Sequence, residues 1–114
     1  MDALARRDFA QVTEVLCPDI EFRAVTPRRF WEAQTAEETL RILGTWFDPT
    51  RVVEEVAALH TGVVSDRHSV TYRFAGQEPQ GRFVIEQHAY YTAREDRIDW
   101  MRLVCSGFRP DDAA

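Results

Sequence analysis

The 114-residue sequence lacks the features of several functional classes. It has no apolar run near the roughly 18 residues that a membrane-spanning helix needs. Its first residues, MDALARRDF, alternate charged with small apolar side chains instead of forming the apolar segment of a signal peptide. We therefore expect a soluble, cytoplasmic protein. The length fits a single domain, which we place at residues 1–110, followed by a disordered tail at 111–114.

Cofactor motifs are also missing. The two cysteines, Cys17 and Cys105, lack C-x-x-C spacing, and the three histidines form neither an H-x-H nor an H-E-x-x-H motif. The glycines match no phosphate-binding pattern. We expect no metal and no nucleotide cofactor. Two buried thiols are the simplest interpretation of the cysteines, and a disulfide would require the fold to join them in an oxidising compartment.

Basic charge is in deficit, because 14 basic and 19 acidic side chains give a net charge of −5. A broad positive surface for phosphate backbones is therefore not expected, and nucleic acid is a poor candidate partner.

Helical spacing marks the start of the chain and its middle. The first apolar stripe predicts an amphipathic helix that ends at Pro18, and it comprises Ala5, Phe9, Val12 and Leu16. Alternation over residues 20–24 and a turn at 26–28 then predict a hairpin whose second strand contains Phe30 and Trp31. Thr35-Ala36-Glu37-Glu38 has the pattern of a capping box, so a second helix should start there and end near Asp48-Pro49.

From residue 52 onward the hydrophobic period changes to two. The pattern predicts four long strands, at 52–64, 68–75, 82–93 and 98–108. The connections between them are too short for parallel crossovers, which indicates an antiparallel meander. Two helices covering one face of this sheet would give an α+β domain.

Two segments resemble the nuclear transport factor 2-like superfamily, and within it the SnoaL-like proteins. They are ALARRDFAQVTEVLCPDIEFR near the start and EQHAYYTAREDRIDWMRLVCSGFRP near the end. The resemblance implies a cone-like α+β fold, with a curved antiparallel sheet wrapped around N-terminal helices and an apolar pocket at the wide end. It also implies dimerisation through the outer sheet face. Such proteins include isomerases, polyketide cyclases, epoxide hydrolases, dehydratases and noncatalytic domains.

Alternation assigns the side chains of the segment FVIEQHAYYTA to two faces. The more apolar set, which contains Gln87 and Tyr91, should face inward, and Glu86 and His88 should face outward. Gln87 is then either a group that orients a ligand or a buried amide bonded within the protein. Glu86 and His88 are either a proton-transfer pair or part of an interface. A one-residue error in register would exchange these assignments.

Several other side chains are candidates for a pocket. Many hydrolytic or cyclising proteins of this superfamily have an inward acidic residue midway along the last strand, and this sequence departs from that pattern with Leu103. Tyr72, His60 and His68 are candidate catalytic groups, because tyrosine can donate a hydrogen bond and histidine exchanges protons near neutral pH. Each could instead be structural. The predicted ligand-binding residues are Trp31, Trp46, Phe74, Gln87, Tyr91, Met101, Leu103 and Cys105.

Two functions follow from these patterns together with the resemblance. The first is a domain that binds a small, apolar, oxygen-bearing metabolite. In its catalytic form it would be an isomerase or cyclase that transfers protons on this metabolite. The alternative is a noncatalytic dimerisation or scaffold module. In that case the outward residues would form a homodimer interface comprising Glu86, His88, Tyr90, Trp100 and Arg102.

Overall fold

The computed structural model describes residues 2–111, and this range contains three helices and seven strands. The helices are α1 (Asp2–Ala5), α2 (Phe9–Glu14) and α3 (Ala36–Trp46). The strands are β1 (Leu16–Thr26), β2 (Arg29–Ala33), β3 (Val52–Val64), β4 (Arg67–Glu78), β5 (Gly81–Arg94), β6 (Arg97–Cys105) and β7 (Arg109–Pro110). No helix in this range is long and apolar enough to cross a membrane.

The predicted first helix is divided into two short ones, which corrects the prediction. Arg7 has a φ of 57°, a left-handed conformation that interrupts the helix. Asp8 then caps α2 by accepting a hydrogen bond from the backbone N–H of Gln11 at 3.1 Å. Leu16 and Pro18 belong to β1, at whose start the pairing with β6 is irregular. Proline has no backbone N–H to donate to a regular ladder, so it is tolerated where the strand pairing is irregular.

The predicted N-cap of α3 is confirmed at Thr35, but the Glu38 carboxylate bonds to the Thr35 hydroxyl instead of the Thr35 backbone N–H that a full capping box uses. The hydroxyl of Thr35 accepts from the backbone N–H of Glu38 at 3.1 Å and donates to the carboxylate of the same residue at 3.2 Å. The helix ends at Trp46, close to the predicted end, and the backbone N–H of Phe47 bonds to the carbonyl of Leu43. The cap therefore fixes the residue at which α3 begins, and the apolar stripe of the helix faces the sheet.

The sheet is curved and mixed, with the strand order β2-β1-β6-β5-β4-β3 and with β7 paired to β5. The predicted antiparallel meander is confirmed for β3 to β6. The two-residue turn between β5 and β6 places Glu95 and Asp96 at φ values of 53° and 66°, which suits the twist of a tight hairpin. β1 pairs with β6 in parallel, and this long-range pairing has no local signature in the sequence.

The core lies between the helices and the inner face of the sheet. Burial along β5 alternates as predicted, and Phe83, Ile85 and Gln87 are each at most 1% exposed. Alternation over the predicted strand 98–108 would place Phe108 on the same face as Trp100 and Arg102, but Gly107 has a φ of 76° and Phe108 packs on Phe83, with ring centroids 5.1 Å apart. The predicted tail at 111–114 lies outside the described residues except for Asp111.

Candidate active site between the helices and the sheet

A cavity of about 710 Å³ lies between the helices and the inner face of the sheet. All three helices contribute to its walls, together with β1 and β3 to β6. The walls are mainly apolar, and representative lining residues are Val12, Leu16, Phe22, Leu43, Met101 and Leu103. A large apolar cavity with few polar groups is the usual form of a small-molecule site.

One wall of the cavity carries an aromatic pair with a titratable ring. His68 on β4 and Tyr91 on β5 are register partners, and their rings stack with centroids 5.2 Å apart and planes inclined by 25°. His68 is exposed and Tyr91 is half-buried. Both side chains line the cavity. This pair gives the cavity an imidazole that solvent can reach, held in place by a flat neighbour.

Tyr72 and Gln87 form a buried hydrogen-bonded chain behind this wall. The hydroxyl of Tyr72 donates to Oε1 of Gln87, its register partner on β5. Nε2 of Gln87 donates to Sγ of Cys105 at 3.4 Å. Burial, and secondly the proximity of Cys105, raises the pKa of the Tyr72 hydroxyl. Tyr72 is therefore held neutral, and Gln87 is bonded within the protein.

Thr39 is a polar wall residue that sequence reasoning missed. It is 1% exposed, lines the cavity from α3 and donates from its hydroxyl to the carbonyl of Thr35 at 2.9 Å. Its position between Ala36 and Leu43 on the apolar stripe is the signal that could have identified it.

Ile98 is a second wall residue that sequence reasoning missed. The pairing of Ala93 with Ile98 follows a bulge, which brings Ile98 to the cavity wall.

The structure brings together only some of the predicted site residues. Those that line the cavity are His68, Tyr72, Tyr91, Met101 and Leu103. His60 does not line it, which corrects the prediction. The register of β3 shifts after Ala58, which pairs with Tyr72, so that His60 pairs with Thr71. This bulge transfers His60 to the outer face of the sheet.

The remaining predicted ligand-binding residues lie outside the main cavity. Trp31, Trp46 and Cys105 line a separate cavity of about 290 Å³ near the β1–β2 turn. Phe74 is fully buried against Phe47, with ring centroids 5.6 Å apart. These side chains fill or border the opposite end of the interior. Cys17 and Cys105 are buried free thiols, as the sequence indicated.

Carboxylates do not contribute to the cavity wall among residues 3–111. Leu103, where the sequence departs from the superfamily pattern of an inward acidic residue, lines the cavity. No group of three potential metal ligands occurs in the described part of the chain. The titratable side chains in the wall are His68, Tyr72 and Tyr91, and Tyr72 is held neutral by its burial.

The outer face of the sheet has a different character. Glu86 bonds to Arg73 at 2.8 Å, and His88 contacts Thr71, so Glu86 and His88 do not form a pair. Arg102 bonds to Glu21 at 2.7 Å and holds the pKa of that carboxyl below its ordinary value. Exposed apolar side chains lie beside these ion pairs and comprise Val25, Phe30, Tyr90 and Val104.

No family model and no curated protein matches the sequence. Solved structures do match. A protein from Rhodopseudomonas palustris, provisionally described as an isomerase, has a TM-score of 0.76 and 12% identity over 92% of this chain and 82% of its own. An epoxide hydrolase of the LEH-like type from M. tuberculosis has a TM-score of 0.70 and 18% identity over 92% of this chain and 75% of its own.

A third similar structure is a protein from Catenulispora acidiphila with a ketosteroid isomerase-like fold, in complex with trimethylamine. Its TM-score is 0.71, with 12% identity over 91% of this chain and 79% of its own. At these identities the likeness shows the fold alone. The chain has the nuclear transport factor 2-like fold that SnoaL-like proteins share.

Proposed function

We propose that this domain binds an apolar, oxygen-bearing metabolite in the main cavity and transfers a proton on it, as an isomerase or cyclase. The observation that carries the proposal is the cavity of about 710 Å³, which has mainly apolar walls and an imidazole on one side. Apolar walls would hold ring systems, and a few polar groups would orient them. The provisionally described isomerase and the LEH-like epoxide hydrolase among the similar structures support a ligand-binding use of this fold.

His68 is the candidate proton carrier. Imidazole exchanges protons near neutral pH, and this ring lines the cavity and stacks on Tyr91. The described wall has no carboxylate that could take this role. A proton transfer in the cavity would therefore depend on His68, with the Tyr91 ring fixing the orientation of the imidazole.

The test uses 6-hydroxy-1-tetralone, a two-ring compound with a ketone and a hydroxyl. Exchange of the protons next to its ketone is followed by proton NMR in D₂O. We expect the protein to accelerate this exchange and His68→Gln to reduce the acceleration by at least about 100-fold, the usual scale of acid–base catalysis. His60→Gln is the matched control and should retain full activity. Equal effects of the two substitutions would contradict the role of His68.

The alternative function, a dimerisation or scaffold module, is supported by the outer face of the sheet. Val104 is 59% exposed and Phe30 is 57% exposed, beside the ion pair of Arg102 with Glu21. Apolar anchors with a charged rim are typical of protein interfaces. We propose a homodimer through this face, in which twofold symmetry would bring each patch against its copy.

Sedimentation velocity tests the homodimer. Val104→Glu would place two like charges in the proposed interface and should give a monomer. Val64→Glu is the control, because Val64 on the edge strand β3 is also 59% exposed. A monomeric wild type would contradict the homodimer. A dimer whose cavity takes none of the ring compounds would favour the noncatalytic module.

A further inference from the structure

Two residues that line the cavity, Tyr72 and Thr39, have buried hydroxyl groups that donate their protons to other parts of the protein. Tyr72 on the sheet donates to Oε1 of Gln87, and Thr39 on α3 donates to the carbonyl of Thr35 at 2.9 Å. Tyr72 is 7% exposed and Thr39 is 1% exposed. A hydroxyl has one proton and two lone pairs. Once these protons are engaged, both oxygens can only accept a further hydrogen bond.

The direction of the Tyr72 bond agrees with the contacts at the far end of its hydrogen-bonded chain. Sγ of Cys105 accepts from Nε2 of Gln87 at 3.4 Å and from the backbone N–H of Gly107 at 3.3 Å. With the sulfur as the acceptor of both bonds, the Gln87 amide has its nitrogen toward the sulfur and its oxygen toward Tyr72. An amide oxygen has no proton, so the tyrosine must be the donor.

We infer that the cavity selects ligands that donate a hydrogen bond to this interior wall, an inference that rests on the proposed ligand binding. The preferred ligands would be alcohols, phenols or amines rather than ketones of the same shape. A ketone oxygen placed against Tyr72 or Thr39 would be an acceptor facing an acceptor, and it would lose its bond to water without replacement. A ligand O–H supplies the proton that these oxygens lack.

Calorimetric titration with 1-tetralol and 1-tetralone tests the inference in the wild-type protein. These compounds have the same two-ring skeleton and differ at one oxygen. We expect the alcohol to bind about 3- to 10-fold more tightly, the value of one net hydrogen bond. Equal binding, or a preference for the ketone, would overturn this inference and leave the proposed ligand binding supported. Binding of neither compound would overturn both.

Gln87→Met sharpens the test because it removes the acceptor of the Tyr72 proton at similar side-chain volume. The freed hydroxyl can then donate into the cavity, so the alcohol-to-ketone affinity ratio should fall to about 1 or below. Glu86→Gln, on the outer face, is the control and should leave the ratio unchanged. If Gln87→Met weakens both compounds equally and preserves the ratio, Gln87 has a structural role only and the inference is wrong.

Discussion

The two ends of the interior differ in how side chains fill them. At one end, Phe47 packs on both Phe74 and Phe108 with ring centroids 5.6 Å apart in each pair, and the guanidinium of Arg51 lies 3.8 Å from the ring centroid of Phe108. At the other end, side chains leave a cavity of about 710 Å³ beside His68. One small domain thus uses its aromatic rings mainly for packing at one end, where the cavity is smaller at about 290 Å³, and keeps the larger cavity at the other end for a site.

The largest expected effect tests the filled end. Phe74→Ala should lower the free energy of unfolding by about 3–5 kcal/mol, because Phe74 is 0% exposed and its removal leaves a hole in a packed cluster. Tyr91→Ala at the open end should cost less than half as much, since its half-buried ring borders existing space. Urea denaturation measures both. Equal losses would show that the two ends contribute alike to stability.

Enlarging a side chain tests the same contrast in the opposite direction. Ile85→Trp inserts volume at a site that is 1% exposed, and it should cost about 1–3 kcal/mol of stability. Val70→Trp should cost less than about 1 kcal/mol, because Val70 lines the cavity and the larger ring can extend into it. It should also reduce the affinity for 1-tetralol at least about 10-fold. Unchanged affinity would place the ligand elsewhere.

The two ends of the interior meet at the hydrogen bonds that link the side chains of Tyr72, Gln87 and Cys105. Gln87→Leu should cost about 1–3 kcal/mol of stability, because the buried Tyr72 hydroxyl would lose its acceptor. Adding Tyr72→Phe to Gln87→Leu should recover part of that loss, since no polar group is then left unpaired. A double-mutant cycle in urea measures the coupling. If the two substitutions change the free energy of unfolding by strictly additive amounts, the Tyr72–Gln87 hydrogen bond does not contribute to stability.

Sequence reasoning succeeded where alternation is local and uninterrupted. The inward position of Gln87 and the outward positions of Glu86 and His88 followed from the period of β5 alone. It failed for His60, because a bulge after Ala58 reverses the faces of β3 without any local mark in the sequence. The division of the main cavity from the filled end depends on long-range packing, so the sequence did not show that Trp46 lies away from the main cavity.

The smallest expected effect concerns alkaline pH. Burial raises the pKa of the Tyr72 hydroxyl, whereas in the unfolded chain this group ionises near its ordinary value of about 10. Above that pH the unfolded chain has lost a proton that the folded protein keeps, so the free energy of unfolding must fall as pH rises. At neutral pH the hydroxyl is protonated in both states, and its ionisation does not change stability.

Urea midpoints measured between about pH 9 and pH 11 should therefore decline less steeply in Tyr72→Phe than in the wild type. Tyr90→Phe, with an exposed ring on the outer face, is the control and should follow the wild-type slope. The difference isolates Tyr72 from the other groups that ionise in this range. Identical slopes for Tyr72→Phe and the wild type would mean that the Tyr72 hydroxyl ionises as readily in the folded protein as in the unfolded chain. The hydrogen bonds that link Tyr72, Gln87 and Cys105 would then be open to water, and the contrast between a filled and an open end would not hold at the centre of the molecule.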